Sequence, residues 1–178
     1  MKYIVNYISE GLRINKKLNF NKSQIPKDLY ELKKIIEERL KKDKNANLND
    51  IDISNITNMH GLFHKLDPHN IDISEWDVSH VENMEWMFYY CTNFNCDISN
   101  WDVSNVTNMR YMLSECEKFD CDISNWDVSN VENFEYAFSG CKKLNCDLNK
   151  WKPKDVKNKI LTFKNTSYEN NPPEWYKE

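Results

Sequence analysis

A ten-residue sequence occurs twice in this chain, and it limits the possible folds more than any other feature. DISNWDVSNV stands at 97–106 and again at 122–131, 25 positions later. Near copies lie one period before, at 72–81, and one period after, at 147–156. A fixed period of this length is typical of repeat architectures, in which each unit buries its apolar side chains against its neighbours. The repeat therefore predicts architecture, and function has to be sought where the copies differ.

Each repeat unit has two halves with different patterns. Residues 81–91 have apolar residues at helical spacing, and Ser79 with Glu82 matches a capping box. Residues 96–103 alternate apolar and polar, with a parity slip at 99–100 that predicts two short strands joined by a bend. We therefore expect each unit to contain a strand, a bend, a second strand and one capped helix.

Three segments follow from this pattern. Residues 1–47 are predicted to form an N-terminal cap, residues 48–170 the repeats, and residues 171–178 a C-terminal tail. The stretch PKDLYELKKIIEERLKKDKN within the first segment predicts an amphipathic helix of about four turns that covers the first coil. Its apolar stripe consists of Leu29, Leu32, Ile35, Ile36 and Leu40.

The corners of the units have to be made by Asn and Asp, because the chain has only three glycines. The recurring Asp-x-Ser pattern, as in Asp97 and Ser99, predicts turns in which the carboxylate accepts from the backbone. Stacked carboxylates that hold Ca²⁺ are the alternative. An asparagine recurs once per period and predicts a hydrogen-bonded ladder between coils, formed by Asn58, Asn83, Asn108, Asn133 and Asn158.

The six cysteines occupy only two repeat positions, where the first copy has Leu66 and Ile71. A position that accepts Leu or Ile as readily as Cys is a buried apolar position, so we expect reduced thiols in the core. Disulfides and a zinc site are the alternatives, although the Cys-x₄-Cys spacing does not match zinc motifs. The cysteines are Cys91, Cys96, Cys116, Cys121, Cys141 and Cys146.

Charge and hydropathy limit the partners. Residues 1–47 have a balance of +6, from 12 Lys/Arg and 6 Asp/Glu, whereas residues 48–178 have a balance of −10, from 12 and 22. The acidic body argues against nucleic acid as a partner. No apolar run reaches membrane-spanning length and no signal peptide is recognisable, so we expect a cytoplasmic protein without membrane contact.

The unit WDVSNVTNMxxM(F/L)xxCxxF(N/D)xDISN resembles the 25-residue repeat of BspA-like leucine-rich-repeat surface proteins. That repeat also occurs in Mycoplasma lipoproteins and in phage and viral proteins, and the likeness covers residues 48–158. The resemblance implies a leucine-rich-repeat-like, right-handed solenoid used in protein binding or adhesion. Together with the unit pattern, it leads us to expect an α/β solenoid of about five coils with an N-terminal helical cap.

No motif in the sequence indicates an enzyme. The three glycines are isolated, so there is no phosphate-binding loop, and there is no G-x-S-x-G nucleophile motif. His60 and His64 are spaced as two metal ligands on one helix face would be, but no third ligand accompanies them. We therefore expect no catalytic residue, cofactor, bound metal or small-molecule ligand.

The copies differ most at two neighbouring positions. Positions 85, 110 and 135 read Glu, Arg and Glu, which predicts ion pairs between adjacent coils. The next positions carry aromatic residues, which either fill the gap between neighbouring helices or form a partly exposed patch typical of protein-binding sites. The predicted partner-binding residues are Glu85, Arg110, Trp86, Tyr89, Tyr90, Tyr111 and Tyr136.

Two functions are consistent with these residues. The first is a non-enzymatic protein–protein interaction module that binds an unidentified protein, for example as a viral or phage inhibitor or decoy, or as a small structural component. The alternative is a surface adhesin or carbohydrate-binding module of BspA-like type, because rows of aromatic rings also stack on sugars.

Overall fold

Successive 25-residue units lie one upon another in the computed structural model, which describes residues 24–177. The recurring asparagines mark the register, since each pairs with the next through an isolated parallel bridge. These bridges join Asn58 to Asn83, Asn83 to Asn108, Asn108 to Asn133 and Asn133 to Asn158. The predicted ladder between coils is thus confirmed, and it is formed by the backbone. Each asparagine side chain accepts from the backbone N–H two residues later, as in Glu85 N to Asn83 Oδ1 at 2.9 Å.

Regular secondary structure is sparse. The described residues contain helix α1 (Leu29–Lys42), a three-residue 3-10 helix (Leu148–Lys150) and the short helix α2 (Glu174–Lys177). None of these helices is long and apolar enough to cross a lipid bilayer. Within residues 24–177 there is no sheet, only isolated bridges, and the units contain no α-helix. The predicted α/β, leucine-rich-repeat-like solenoid is therefore wrong.

The predicted helix of each unit is replaced by two consecutive turns. Met87 N donates to Met84 O and Cys91 N donates to Phe88 O, each closing a four-residue turn. The third residue of each turn is left-handed, with φ of 57° at Trp86 and 60° at Tyr90. Type II turns require this conformation, and it interrupts an α-helix. The first and last residues of the two turns, at 84, 87, 88 and 91, are buried. Their spacing in the sequence is also that of the buried side of a helix, which is why a helix was predicted.

The predicted strands are also turns. Trp101 N donates to Ile98 O, so the bend predicted at 99–100 is confirmed, but no strand flanks it. Asp97 Oδ1 accepts from the backbone N–H of Ser99 at 3.0 Å and from its hydroxyl at 2.7 Å. The predicted Asp-x-Ser turns are thus confirmed, and Ser79 belongs to one of them through Asp77 rather than to a helix cap.

Backbone N–H groups alternate between two kinds of partner along these turns. The N–H groups of Met84, Trp86 and Phe88 donate to carbonyls 24 residues later, in the next coil, at 2.8–2.9 Å. The N–H groups between them donate within their own coil, either to a turn carbonyl or to an asparagine side chain. In a β-sheet, bonds run to the neighbours on both sides of a strand. In these turns the N–H groups that leave the coil all donate to the following coil, and bonds to the preceding coil, such as that from Glu82 N to Thr57 O at 2.9 Å, lie outside the turns, so only isolated bridges form.

Two buried columns of side chains satisfy backbone carbonyls in the core. The tryptophans Trp76, Trp101, Trp126 and Trp151 donate through Nε1 to carbonyls of the preceding coil at 2.9–3.2 Å. Thiols do the same, as in Cys116 Sγ to Phe88 O at 3.1 Å. All six thiols are free, and burial raises the pKa of Cys91 to about 12. Cys121 and Cys146 are only half-buried, which differs from the predicted core position.

Helix α1 closes the N-terminal end of the stack. Its cap residue Asp28 accepts from Glu31 N, and Leu32, Ile36 and Leu40 are buried in the same core as the repeats. The predicted amphipathic helix is therefore confirmed, while residues 1–23 of the predicted cap lie outside the described residues. At the other end, Trp175 of α2 packs on the last coils, its ring centroid 4.9 Å from that of Phe134. The predicted segment boundaries remain predictions.

Two glycines at left-handed positions allow a matched test of this turn geometry. A Cβ at Gly140, where φ is 78°, would lie 2.8 Å from the Glu115 carboxylate. At Gly61, where φ is 58°, no atom lies closer than 3.6 Å. We expect Gly61→Ala to lower the free energy of unfolding by about 1 kcal/mol, the cost of the left-handed backbone alone. Gly140→Ala should lower it further, as measured by urea denaturation.

The excess loss in Gly140→Ala should disappear when Glu115 is also changed to Ala, because the steric contact is then gone. Equal losses at the two glycines in the parent background would contradict the close approach of Glu115.

Candidate partner-binding surface

Three aromatic residues occupy the same left-handed turn position in three successive coils. These are Trp86, Tyr111 and Tyr136, with φ of 57°, 53° and 52°. The same position is Gly61 in the coil before and Leu161 in the coil after. A left-handed backbone costs a residue with a side chain about 1–2 kcal/mol. Aromatic residues at these corners are thus locally unfavourable, and their rings project along the outside of the turns, where all three are half-buried.

Five rings form one continuous cluster, which we call the aromatic surface: Trp86, Tyr89, Tyr90, Tyr111 and Tyr136. Tyr111 and Tyr136 stack almost parallel, with centroids 4.7 Å apart. Tyr89 lies 5.5 Å from Trp86 and 5.4 Å from Tyr111, and it contacts Tyr90 at 4.6 Å. The interpretation that these rings fill gaps between helices is wrong, because there are no helices at these positions. Tyr90 protrudes furthest, with 48% of its surface exposed.

The predicted ion pairs between coils are confirmed beside the aromatic surface. Arg110 Nη1 lies 3.0 Å from Glu85 Oε1, and Arg110 Nε lies 3.1 Å from Glu135 Oε2. The hydrogen bonds that Arg110 donates to Glu135 and Glu85 raise the pKa of its guanidinium. The guanidinium carbon also lies 4.9 Å from the Tyr111 ring centroid, within the range of a cation–π contact. Arg110 therefore joins the charged residues to the aromatic ones.

Two histidines extend the aromatic surface, and the sequence analysis did not assign them to it. His60 stacks on Trp86 with centroids 5.8 Å apart, and His64 meets Trp86 edge-on at 5.6 Å. Among residues 24–177 there is no group of three potential ligands around them or elsewhere. The repeat register was the available signal, because one period separates His60 from Glu85 and His64 from Tyr89.

Charged groups of opposite sign flank the aromatic surface. Lys65, Tyr89 and Tyr90 line a shallow depression at one side. Glu115 lies toward the other side, close enough to raise the pKa of Tyr89, to which burial contributes most. Glu117 is already paired with Lys142 at 2.8 Å. The surface therefore has an aromatic centre and a mixed-charge border.

The sequence of the chain matches a known protein family. A family model described as a Mycoplasma protein of unknown function, DUF285, matches residues 30–122 and again residues 98–177. The chain belongs to this family. No curated protein and no solved structure matches it. The two DUF285 matches start in helix α1 and end in α2, so the family pattern includes the repeats and both ends of the described structure.

The DUF285 chain should lose stability when the central cation of the ion pairs is removed. Arg110→Gln leaves the Glu85 and Glu135 carboxylates without their cation, so we expect the free energy of unfolding to fall by about 1 kcal/mol. The loss should shrink in 1 M NaCl, since the Debye length is then about 3 Å. Urea denaturation at low and high salt measures both effects.

Lys142→Gln is the matched control, because it breaks the more exposed pair with Glu117, whose side chains are 58% and 43% exposed. Its effect should stay within about 0.5 kcal/mol. A loss at Lys142 as large as that at Arg110 would contradict a special role of Arg110.

The stability of the DUF285 chain should also depend on His64. Burial, with nearby Lys65, Lys33 and His60, lowers the pKa of His64. The folded pKa is below the unfolded value of about 6.5, so the folded state favours the neutral ring. The stabilising contribution is complete above that value and is lost as the pH falls below it.

We expect the wild type to lose stability between about pH 7 and pH 5, and His64→Phe to lose less, because Phe keeps the ring contacts and cannot titrate. Urea denaturation across this range tests the prediction. Parallel pH profiles for the two proteins would contradict it.

Proposed function

We propose that the chain is a non-enzymatic protein-interaction module that binds a partner protein through the aromatic surface. The observation that carries this proposal is the presence of Trp86, Tyr111 and Tyr136 at three left-handed positions, where they are locally unfavourable. Gly61 and Leu161 occupy the equivalent positions, so the turn itself does not require an aromatic ring. Residues that break a local rule without a folding reason are candidates for function.

The chemistry of the surface suits a protein partner. Aromatic residues and Arg are enriched at binding hot spots, and this cluster has both, with Tyr90 half-exposed beside Tyr89. Glu85 and Glu135 share the single cation of Arg110, so this trio keeps a net charge of −1, whereas Lys65 and Glu115 stand at opposite sides. A partner with an apolar centre and complementary charges at its border would match this arrangement.

Ring packing favours a protein over a sugar as the ligand. Sugars stack on open ring faces, but Tyr111 has Tyr136 stacked on it and the Arg110 guanidinium against it. The Trp86 face is in turn covered by His60. Ring edges and the Tyr90 side chain are left for contact, which are features that a protein surface can use.

The cellular location of the protein and its relation to BspA-like proteins are also part of the proposal. Six free thiols are compatible with a reducing compartment such as the cytoplasm. Kinship with BspA-like repeat proteins is supported by membership in a Mycoplasma repeat family and by the repeat unit itself. An inhibitor or decoy of a host protein would use the aromatic surface in the same way.

The test is affinity capture with quantitative mass spectrometry from the cells that produce the protein, comparing wild type with Trp86→Gly/Tyr90→Gly. Glycine is compatible with both turns, since Gly61 and Gly140 occupy the equivalent positions in other coils. We therefore expect the variant to fold and to lose a protein that the wild type captures in stoichiometric amount. Circular dichroism verifies the fold.

Tyr30→Ala is the matched control, because Tyr30 is a 79% exposed tyrosine on α1, outside the aromatic surface. It should retain the partner. Loss in both variants, or retention in both, would reject the aromatic surface as the binding site, and capture of glycans in place of a protein would support the adhesin alternative.

A further inference from the structure

A row of backbone donors is left without acceptors at the C-terminal end of the stack. In the preceding coil, the N–H groups of residues 134, 136 and 138 donate to carbonyls of residues 158, 160 and 162 at 2.7–3.1 Å. One period later, the equivalent N–H groups are those of Lys159, Leu161 and Phe163. Within residues 24–177 no carbonyl or side chain accepts from them. The last coil therefore repeats the donor geometry of the inner coils without a following coil to receive it.

Helix α2 covers only part of this end. Trp175 and Tyr176 pack on the Phe163 ring, with centroids 5.9 and 5.3 Å away. The neighbouring apolar residues remain open, since Ile160 is 60% and Leu161 is 39% exposed. We call the segment 159–163 the open edge. Phe163 itself is only 2% exposed, so the donors left for a partner are the N–H groups of Lys159 and Leu161. Unpaired backbone donors beside apolar side chains are a template for the addition of another chain segment.

A second copy stacked head-to-tail does not fit this edge. The complementary carbonyls would come from the first coil, and α1 closes that end of the stack with Leu32, Ile36 and Leu40 buried against the first coils. Lys33 of the same helix lies beside Gly61 in the first coil, 3.6 Å from the position of a Cβ there. A second copy in the head-to-tail arrangement is therefore excluded as the occupant.

The charge around the open edge indicates what kind of segment it takes. Residues 152–164 contain five lysines and one aspartate, although residues 48–178 as a whole have a balance of −10. Lys157 pairs with Glu132 at 2.7 Å. Three further lysines are exposed and form no ion pair among the described residues: Lys152, Lys154 and Lys164. Such a basic patch is complementary to an acidic partner.

We propose that the open edge binds an acidic, extended segment of a partner protein. Backbone carbonyls of that segment accept hydrogen bonds from the N–H groups of Lys159 and Leu161, as the following coil does elsewhere in the stack. Its carboxylates pair with the exposed lysines, and an apolar side chain covers Ile160. This is peptide recognition by edge addition, in which the main chain supplies affinity and the side chains supply specificity. The proposal does not depend on the aromatic surface.

The chain itself contains a suitable probe. In residues 129–141, the carbonyls of Asn133, Glu135 and Ala137 accept from the preceding coil at 2.9 Å. A synthetic peptide with this sequence, SNVENFEYAFSGC, carrying Cys141→Ser, therefore offers carbonyls with the required spacing and two glutamates. Titration into the full chain, followed by amide NMR, should shift the resonances of Lys159 and Leu161 most.

Two matched variants test the site. Ile160→Asp places a negative charge at the open edge, of the same sign as the peptide's glutamates. It should weaken peptide binding at least about fivefold, a typical effect of unfavourable charge at an interface. Ile25→Asp changes an isoleucine of equal exposure, 61%, at the other end and should leave the affinity unchanged. Trp86→Gly/Tyr90→Gly should also bind normally, which separates this proposal from that for the aromatic surface.

Three results would overturn the proposal: no binding at peptide concentrations up to about 1 mM, the range of the weakest specific complexes; equal binding of a scrambled peptide of the same composition; or shifts centred outside residues 157–165. Equal affinities of Ile160→Asp and Ile25→Asp would overturn it as well.

Discussion

Every coil of this protein depends on the division of its backbone N–H groups between two kinds of acceptor. From Met84 to Cys91, one N–H closes a turn or binds an asparagine side chain, and the next reaches the following coil. Buried backbone groups without partners are costly, so a unit that satisfies only half of its donors is not stable alone. The stack therefore has to fold as an assembly of neighbouring coils, and each end needs its own solution.

Residue choice in the repeat follows from the same requirement. Turn carbonyls that point into the core cannot reach water, and Trp101 Nε1 and Cys116 Sγ supply donors to such carbonyls while adding apolar volume. At the corners, the Asp97 carboxylate accepts from the Ser99 N–H in place of a backbone carbonyl. A turn closed in this way does not require glycine. A single repeated decapeptide can therefore carry both the packing and the hydrogen bonds of a coil.

The sequence permitted prediction of the period, the buried positions, the Asp-x-Ser turns, helix α1 and the Arg110 ion pairs. It did not permit prediction of the path of the backbone within a coil, because apolar residues at 84, 87, 88 and 91 fit both a helix and two linked turns. The two structures differ in the φ angles at Trp86 and Tyr90, which are positive in the linked turns. The available clue was Gly61 and Gly140, which lie one and two periods from Trp86 and Tyr90 and mark left-handed positions. The contact of His60 and His64 with Trp86 required that same register.

The hydrogen bonds that link the turns of neighbouring coils share one direction, which has an electrostatic consequence. Each peptide group carries a dipole of about 3.5 D, and aligned peptide groups in a helix add up to about half a charge at each end. Strands in a sheet alternate and largely cancel, whereas the N–H groups of residues 84, 86, 88 and 90 all donate to the following coil, and the opposing bonds, such as that from Glu82 N to Thr57 O, are fewer. The turn side of the stack is thus polarised along the axis, with its positive end at the C-terminal coil. There, Glu169 Oε2 accepts from Asn165 N at 3.1 Å, as an anion does at the start of a helix.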